Sequence, residues 1–276
     1  MNPALKENVL GDQFAAVDRA FGKQSQHYDE DDRANPILQD MREQVYAHVY
    51  RYLKTNSSIL ELNAGTGIDA AHFASLGHRV HATDLSSGMI KQIINKAHAP
   101  ALQGRLTCQQ LSYDQLHELN VGKFDYIFSN FGGLNCTKDL SSVTRHLTHL
   151  LNPDGIVTFV IMPPVSLWEL AWILKGDRRQ AFRRLNKNGV KAHLEGELFK
   201  TYYHSLTSIR KAFGPKFELI RSEGLCSLSP PPSPKEFALN HPHVYKLLRK
   251  ADAMVRRIFP FNRWADHIIV TFKASE

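Results

Sequence analysis

Two glycines flanked by two carboxylates form the segment of this sequence that is best suited to binding a ligand. Glu61 stands four residues before Gly65, and Gly67 and Asp84 follow along the chain. Glycines at this spacing let the backbone turn tightly and let a ligand approach where a Cβ would clash. An acid about 20 residues after the glycines is positioned to accept hydrogen bonds from ribose hydroxyls. The segment therefore predicts a nucleotide-type cofactor site at the carboxyl ends of parallel strands.

The glycines alone leave two classes of cofactor open. The spacing from Gly65 through Gly67 to Ala70, followed by Asp84, also satisfies the fingerprint of NAD-binding proteins. Glu61 favours a different ligand, because an acid inside the first strand is costly to bury unless it meets a charged or donor-rich partner. A cationic amino-acid group on the ligand would supply that partner, and NAD has no such group there.

Strands and helices alternate around this segment. Repetition of strand, helix and strand predicts a parallel sheet with helices on both faces, that is, an α/β fold. The predicted strands are 58–62, 79–83, 106–108, 124–128, 155–161, 217–221 and 267–272; the predicted helices are 68–76, 88–98, 140–151 and 244–258, with a turn at 152–155.

The N-terminal part contains one clear helix signal. Asn35 is a good N-cap and Pro36 suits the first helical position. The acidic cluster 29–32 interrupts any apolar face, so residues 1–33 are expected to be loosely structured. We divide the chain into an N-terminal helical cap segment (1–57), a cofactor-binding core (58–162), a substrate lid insertion (163–216) and a segment that completes the sheet with a helical insertion (217–276).

Composition restricts the class of protein. The chain has 276 residues, of which 43% are hydrophobic and 22% charged, so it is expected to fold around a substantial core. Its longest apolar runs are about half of the ~20 residues that a membrane span needs. Residues 1–10 contain no apolar stretch typical of a secretory signal. Three scattered cysteines exclude a disulfide scaffold and fit the reducing cytoplasm.

Basic charge is concentrated in the C-terminal part. Residues 1–162 contain 14 Lys/Arg against 17 Asp/Glu, a net charge of −3, whereas residues 163–276 have a net charge of +10. The segment 175–191 is strongly basic and follows an aromatic stretch. A solvated lid face explains its charges most simply; the alternative is peripheral contact with an anionic membrane or an acidic carrier. RNA ranks below small molecules as a partner, because no RNA-recognition pattern accompanies the charge.

Four motifs in order resemble those of the class I S-adenosylmethionine-dependent methyltransferases. The resemblance covers about residues 20–162, and an opening segment is similar to that of the ubiquinone-type and small-molecule group. It implies a doubly wound, mostly parallel seven-stranded Rossmann-like sheet with a lid formed by insertions, and S-adenosylmethionine as the cofactor. The matching segments are Glu61–Gly67 (E-x-G-x-G-x-G, with Asn63 at a common glycine), Asp84–Ile90 (D-x-S-x-x-M-[IL]), Phe124–Asn130, Leu150–Gly155 and the opening Phe21–Asp29.

The resemblance also implies roles for individual residues. Glu61 helps to hold the methionine ammonium, Asp84 takes the ribose hydroxyls, and Tyr28 closes over the cofactor. The other implied cofactor contacts are Asn63, Ala64, Gly65 and Gly67 along the methionine moiety, Leu85 and Met89 at the adenine, Ser112 and Tyr113 beside the adenine amine, and Asn130 and Phe131 near the transferred methyl.

We expect an enzyme that methylates oxygen or carbon of a small aromatic or lipophilic molecule, because the first insertion is rich in aromatic residues. A hydroxyl acceptor benefits from a base, whereas an ionised acceptor needs none. The alternatives are an RNA or protein methyltransferase, an NAD-dependent oxidoreductase and a non-catalytic S-adenosylmethionine-binding protein. The candidate bases are His193 and His204, and the candidate substrate contacts are Asn135, Trp168, Tyr202 and Tyr203; no metal site is predicted.

Overall fold

The computed structural model describes residues 3–233 and 235–275 of the chain. Its strands are β1 Ser58–Leu62, β2 Arg79–Asp84, β3 Leu106–Gln110, β4 Phe124–Ser129, β5 Leu151–Ile161, β6 Val190–Leu194, β7 Glu197–Thr201, β8 Phe217–Leu225 and β9 His267–Ala274. Seven of them form one sheet in the order β3-β2-β1-β4-β5-β9-β8, and β6 and β7 form a separate hairpin. Strands β1 to β5 are parallel to one another, and β9 is antiparallel to both β5 and β8. The predicted doubly wound, mostly parallel sheet is confirmed.

Strand register brings several chain segments to one edge of the sheet. Leu62 pairs with both Thr83 and Ser129, so the residues after β1, β2 and β4 emerge side by side. The strand order reverses between β1 and β4, which is where such sheets form a ligand crevice. Because β9 runs antiparallel, it begins at this same edge, with His267 opposite Leu225.

Helices cover both faces of the sheet. One hydrophobic core lies under α3, α4 and α5, and a second lies under α6, α7 and α10. No helix within the described ranges is long and apolar enough to cross a membrane. The helices are α1 Pro3–Gln24, α2 Tyr28–Arg33, α3 Pro36–Val49, α4 Ile68–Ser75, α5 Ser87–Ala97, α6 Ser141–Thr144, α7 Leu147–Leu150, α8 Leu167–Leu170, α9 Arg178–Ala181, α10 Leu206–Phe213, α11 Glu236–Asn240 and α12 Pro242–Val255.

The predicted start of α3 is confirmed. The Asn35 side chain accepts hydrogen bonds from the backbone N–H groups of Ile37 and Leu38, and Pro36 occupies the first turn. The apolar residues at intervals of four along this helix are fully buried. The buried face of α3 therefore follows the period of its apolar residues.

The N-terminal segment differs from the prediction. Residues 1–33 were expected to be loosely structured, but α1 and α2 occupy most of this stretch. The acidic cluster does not disrupt α2, because Asp29 and Asp32 form ion pairs with Lys96 and Arg42. Met1 and Asn2, the first residues of the stretch expected to lack a secretory signal, lie outside the described residues, as do Pro234 of the proline run and Glu276.

Two further differences concern turns. The helix predicted over 140–151 is divided into α6 and α7, and the predicted turn 152–155 lies within β5, where Asp154 has a φ of 62°. The hairpin of β6 and β7 was not predicted. Glu195 and Gly196 connect its strands with φ values of 51° and 80°, the left-handed pair that a two-residue hairpin turn requires.

Candidate active site

A cavity of about 250 Å³ lies at the carboxyl ends of β1 and β4. The turn between β1 and α4 forms its floor, and α1 and β7 cover it from the opposite side. Its lining combines a few carboxylates and one guanidinium with many apolar side chains. The lining residues are Val17, Phe21, Tyr28, Arg42, Glu61, Asn63, Ala64, Gly65, Thr66, Ile68, Asp69, Asp84, Leu85, Met89, Leu111, Tyr113, Asn130, Phe131, Gly132, Gly133, Cys136, Met162, Phe199 and Thr201.

The turn after β1 is left-handed at three positions. Asn63, Gly65 and Gly67 have φ values of 43°, 56° and 77°. Asparagine tolerates this region better than most residues, and the Asn63 amide donates a hydrogen bond to the Ser129 hydroxyl at 2.8 Å. Gly67 does not line the cavity. A Cβ at Gly67 would lie 2.9 Å from a side-chain carbon of Ile93, so this glycine allows α4 and α5 to pack closely.

Glu61 presents an unsatisfied carboxylate oxygen at the floor of the cavity. Its side chain is only 1% exposed, and Oε2 has no hydrogen-bond partner within the described part of the chain. Burial raises the pKa of Glu61 well above its ordinary value, and nearby Arg42 opposes this only in part. A buried acid with a free oxygen fits a cationic donor on the ligand. The methionine ammonium of S-adenosylmethionine has that chemistry.

Asp84 at the end of β2 closes the other side of the turn. Its Oδ2 accepts a hydrogen bond from the N–H of Gly65 at 2.9 Å, and its Oδ1 accepts one from the N–H of Ser86 at 2.8 Å. Each oxygen keeps a further lone pair, which suits the two hydroxyls of a ribose. Burial raises the pKa of Asp84 to about 6 despite these two hydrogen bonds.

The raised pKa of Asp84 predicts that binding of the nucleoside part depends on pH. Ribose hydroxyls donate to the carboxylate, so affinity should be constant above about pH 7 and should fall below the pKa of about 6. Between the pKa of the ligand-free form and that of the ligand-bound form, the affinity falls by nearly tenfold per pH unit. Titration with 5′-methylthioadenosine from pH 5 to 8.5 measures this, because that ligand has no amino-acid group facing Glu61. Asp84→Asn should bind weakly at every pH; an unchanged pH profile in this variant would contradict the assignment.

A buried ion network beside the cavity was missed by sequence reasoning. Arg42 of α3 donates to Asp32 Oδ1 at 2.7 Å and also pairs with Asp69. Asn130 donates from its Nδ2 to the other oxygen of Asp69 at 2.8 Å. The Arg42 guanidinium lies 4.8 Å from the centre of the Phe131 ring, its Nε has no partner within the described residues, and it lines the cavity. It therefore offers a cation to the carboxylate end of an amino-acid ligand.

Helix α2 is fastened to the glycine turn. The Asp29 carboxylate accepts a hydrogen bond from the Thr66 hydroxyl and forms an ion pair with Lys96 at 2.6 Å. Lys96 also donates to the backbone carbonyl of Thr66 at 2.7 Å. These contacts hold Tyr28, the first residue of α2, in the cavity wall. The acidic cluster 29–32, which led us to expect a loosely structured segment, thus attaches α2 to the core.

The cover of the cavity is formed by two segments that are distant in sequence. Phe21 of α1 and Phe199 of β7 pack with their ring centres 5.9 Å apart, and both line the cavity. Arg19 and Lys23 each form an ion pair with Glu197 at 3.0 Å. The cavity is therefore enclosed by contacts between the N-terminal helix and the hairpin.

Most of the predicted cofactor residues meet at this cavity. Those in its lining are Tyr28, Glu61, Asn63, Ala64, Gly65, Asp84, Leu85, Met89, Tyr113, Asn130 and Phe131. Gly67 and Ser112 are not in the lining. Ser112 is buried, and its hydroxyl has no hydrogen-bond partner within the described ranges.

The predicted bases are not brought to the cavity. His193 is exposed on β6, whose side chains alternate between the two faces of the hairpin. His204 is buried, with Nε2 at 3.0 Å from the carbonyl oxygen of Thr137, and burial lowers its pKa. Neither histidine lines the cavity, so we correct both assignments.

The four predicted substrate contacts also lie outside the cavity lining. Asn135 is fully buried and donates to the carbonyls of Met162 and Tyr202 at 3.0 and 2.6 Å, so it holds loops together. Trp168 donates from its indole N–H to Leu228 O at 3.1 Å and lines a separate groove. Tyr203 packs under the Arg184 guanidinium at 5.0 Å. Tyr202 donates its backbone N–H to the carbonyl of Asn135 at 2.7 Å.

The basic segment 175–191 is partly internal. Arg184 is buried between Glu169 and Asp266, at 2.6 and 2.8 Å, and Arg183 pairs with Glu169 at 2.8 Å. Two of its cations are therefore neutralised within the fold. The expected contact of this segment with a membrane or an acidic carrier thus involves fewer free charges than the sequence implied.

A histidine that the sequence analysis overlooked stands next to the cavity. His267 begins β9, and its Nδ1 lies 2.8 Å from Asp266 Oδ2, while Arg184 holds the other oxygen of Asp266 at 2.8 Å. His267 Nε2 has no hydrogen-bond partner within the described part of the chain. It lies 3.4 Å from the point that a Cβ on Gly132 would occupy, and the Met162 methyl lies 3.1 Å from the same point. Gly132 and Met162 both line the cavity. In the sequence, Asp266 followed by His267 at the start of the last predicted strand was the signal that could have identified this histidine.

Comparisons with known proteins agree with this geometry. A family model described as "Methyltransferase domain" matches residues 59–155. No curated protein matches the chain in sequence. Among solved structures, the CcbJ methyltransferase from Streptomyces caelestis is similar, with 18% identity, a TM-score of 0.57 and coverage of 86% of this chain and 90% of that one. The 1,6-didemethyltoxoflavin-N1-methyltransferase of Burkholderia thailandensis, solved with S-adenosylhomocysteine, has 14% identity, a TM-score of 0.55 and coverage of 95% and 88%.

At these identities the solved structures establish the shared fold alone. The family match adds that residues 59–155, which include Glu61 and Asp84, form a methyltransferase domain. The domain match and the shared fold together support a methyltransferase that uses S-adenosylmethionine as its cofactor.

Proposed function

We propose that this methyltransferase methylates a small aromatic or lipophilic molecule at oxygen or carbon. The observation that carries the proposal is the enclosed and apolar far side of the cavity. Phe21, Phe131, Met162 and Phe199 line it, and α1 and β7 cover it. A pocket of this kind suits a small apolar ligand, whereas a nucleic acid or a folded protein requires an open surface.

The residues at the other end of the cavity would hold the cofactor. Glu61 faces the methionine ammonium, Arg42 faces the methionine carboxylate and Asp84 accepts from the ribose hydroxyls. S-adenosylmethionine, when bound, supplies a methyl group on a sulfonium that is already a good leaving group. The protein then contributes mainly alignment of the acceptor and exclusion of water, both of which a closed apolar cavity provides.

For a hydroxyl acceptor we assign the general base to His267, which does not itself line the cavity but packs against the lining residue Phe131, with ring centres 6.1 Å apart. Asp266 orients the imidazole through Nδ1 and leaves Nε2 free on the side of Gly132 and Met162. This is the usual arrangement of a base that is itself oriented by a carboxylate. Nε2 would take the proton of the acceptor hydroxyl as its oxygen attacks. An acceptor that is already ionised would not need His267.

A screen with methyl-labelled S-adenosylmethionine tests the proposed substrate class. We expect label transfer to phenols or other lipophilic hydroxyl and enol compounds, with Asp84→Asn as the control that lacks cofactor affinity. Labelling of tRNA or a peptide mixture, with none of the small molecules labelled, would overturn the proposal. Binding of S-adenosylmethionine with no turnover of any acceptor would favour a non-catalytic protein, and binding of NAD alone would favour an oxidoreductase.

We also infer that the enzyme works in the cytoplasm. Its three cysteines, Cys108, Cys136 and Cys226, are free, and the latter two are buried. Free thiols of this kind fit a reducing compartment.

A further inference from the structure

We infer that α12 and the loop after it form a docking face for an anionic lipid surface. This proposal is independent of the acceptor's identity. The docking face consists of four apolar and three basic side chains on the outer side of this segment: Lys246, Leu247, Lys250, Met254, Arg257, Ile258 and Phe259.

The apolar members of the docking face are unusually exposed. Leu247, Met254, Ile258 and Phe259 have exposed fractions of 67%, 73%, 58% and 63%. Leu247 and Met254 are seven residues apart and so lie on one side of α12, and Ile258 and Phe259 follow in the loop after the helix. Single exposed apolar residues are ordinary on protein surfaces, but a contiguous group marks an interaction site.

The opposite side of α12 is firmly packed. Tyr245 is buried in a hydrophobic core, and Arg249 forms an ion pair with Asp40 of α3 at 2.8 Å. Asp252 is buried and accepts from the N–H groups of Leu228 and Ser229 at 2.7 and 2.9 Å. These contacts fix the rotation of the helix, so the docking face points away from the protein.

The charge of the docking face is exclusively positive. Between residues 242 and 264 the only acid is Asp252, which lies on the buried side. Lys246 and Lys250 form no ion pair with any described residue, and Arg257 shares the single carboxylate of Glu223 with Arg51 and Arg256. Lys246 and Lys250 therefore carry positive charge that no carboxylate of the described chain balances, and Arg257 is balanced only by its share of Glu223.

Charge and apolar exposure together favour lipid over other partners. A second copy of this chain would bring two positive faces together, and RNA binding would not explain the exposed leucine, methionine and isoleucine. Basic side chains beside an apolar stripe are typical of helices that lie in the interface of an anionic membrane. Trp264 packs against Phe259 in an edge-to-face arrangement, with ring centres 6.0 Å apart, and is itself 36% exposed. Tryptophan is favoured at the interface between a bilayer and water.

Vesicle sedimentation of the full-length protein tests the proposal. We expect binding to vesicles of 70% phosphatidylcholine and 30% phosphatidylglycerol, little binding to pure phosphatidylcholine, and weaker binding as salt is raised. Leu247→Glu combined with Met254→Glu should reduce the partition coefficient about tenfold or more. Leu76→Glu is the matched control, because Leu76 is an exposed leucine at the end of α4, and it should bind like wild type.

Three other outcomes would overturn the proposal. The first is no binding of the wild-type protein to the anionic vesicles, and the second is equal binding by the double variant and the wild type. If the wild-type chain were a dimer in solution and the double variant a monomer, the docking face would be an interface between copies. Methylation activity is measured in the absence of vesicles to separate these results from the proposed function. The docking face lies outside the cavity lining, so the double variant and Leu76→Glu should both retain wild-type methylation activity.

Discussion

Replacing Glu61 by glutamine is expected to weaken S-adenosylmethionine binding roughly a hundredfold. The glutamine keeps the size of the side chain but cannot balance the ammonium of the ligand in a buried site. Burial raises the pKa of Glu61 well above its ordinary value, which favours the protonated carboxyl in the ligand-free protein. The incoming ammonium favours the ionised form, and the wild-type protein should release a proton when it binds the cofactor.

Calorimetry in buffers with different ionisation enthalpies measures both the affinity for S-adenosylmethionine and the number of protons released on binding. S-adenosylhomocysteine has the same amino-acid group as S-adenosylmethionine and should lose affinity in Glu61→Gln, together with the proton release. The control ligand is 5′-methylthioadenosine, which lacks that group and should bind equally to both proteins. Equal loss for all three ligands would mean that the substitution disturbs the turn between β1 and α4. Unchanged affinity for S-adenosylmethionine would remove Glu61 from the cofactor site.

His267→Gln should lower kcat for a hydroxyl acceptor by about two orders of magnitude, the usual contribution of a general base. The affinity for S-adenosylhomocysteine should be unchanged, because His267 does not line the cofactor end of the cavity. Asp266→Asn should give a smaller loss, since it removes the orienting charge and keeps the imidazole.

Two controls distinguish a base from a packing residue. His193→Gln, on the exposed side of the hairpin, should keep wild-type activity. An acceptor phenol of lower pKa needs less help in losing its proton, so the deficit of His267→Gln should shrink along a series of increasingly acidic phenols. A constant deficit along that series, or one matched by lost cofactor affinity, would show that His267 acts only through the structure of the loop.

Local sequence was sufficient for the turn between β1 and α4 and for the two acids at the cofactor end of the site. The motif from Glu61 to Gly67 and the later Asp84 specify a turn and two acids whose positions follow from the parallel strands they terminate. Even the departure from the common glycine at Asn63 is compatible with the turn, because asparagine tolerates the left-handed φ of 43° there. These features depend on residues close in sequence and on the register of adjacent strands.

The acceptor end of the site depends on contacts that no local pattern contains. Phe21 and Phe199 meet over the cavity although 178 residues separate them in the sequence. His267 reaches the same sheet edge because β9 runs antiparallel, whereas His193 and His204, which the sequence favoured, are directed elsewhere. Arg42 reads as an ordinary helix-surface residue until Asp32 and Asp69 are brought to it.

The sequence by itself therefore determined the seven strands of the main sheet, the turn between β1 and α4 and the two acids of the predicted cofactor site. Apolar periodicity, glycine positions and the spacing of acids encode these features locally. The tertiary structure decided which residues enclose the cavity, which histidine stands beside it, and which face of α12 remains exposed. Those outcomes depend on packing between distant segments, where burial and charge pairing are set by the whole fold.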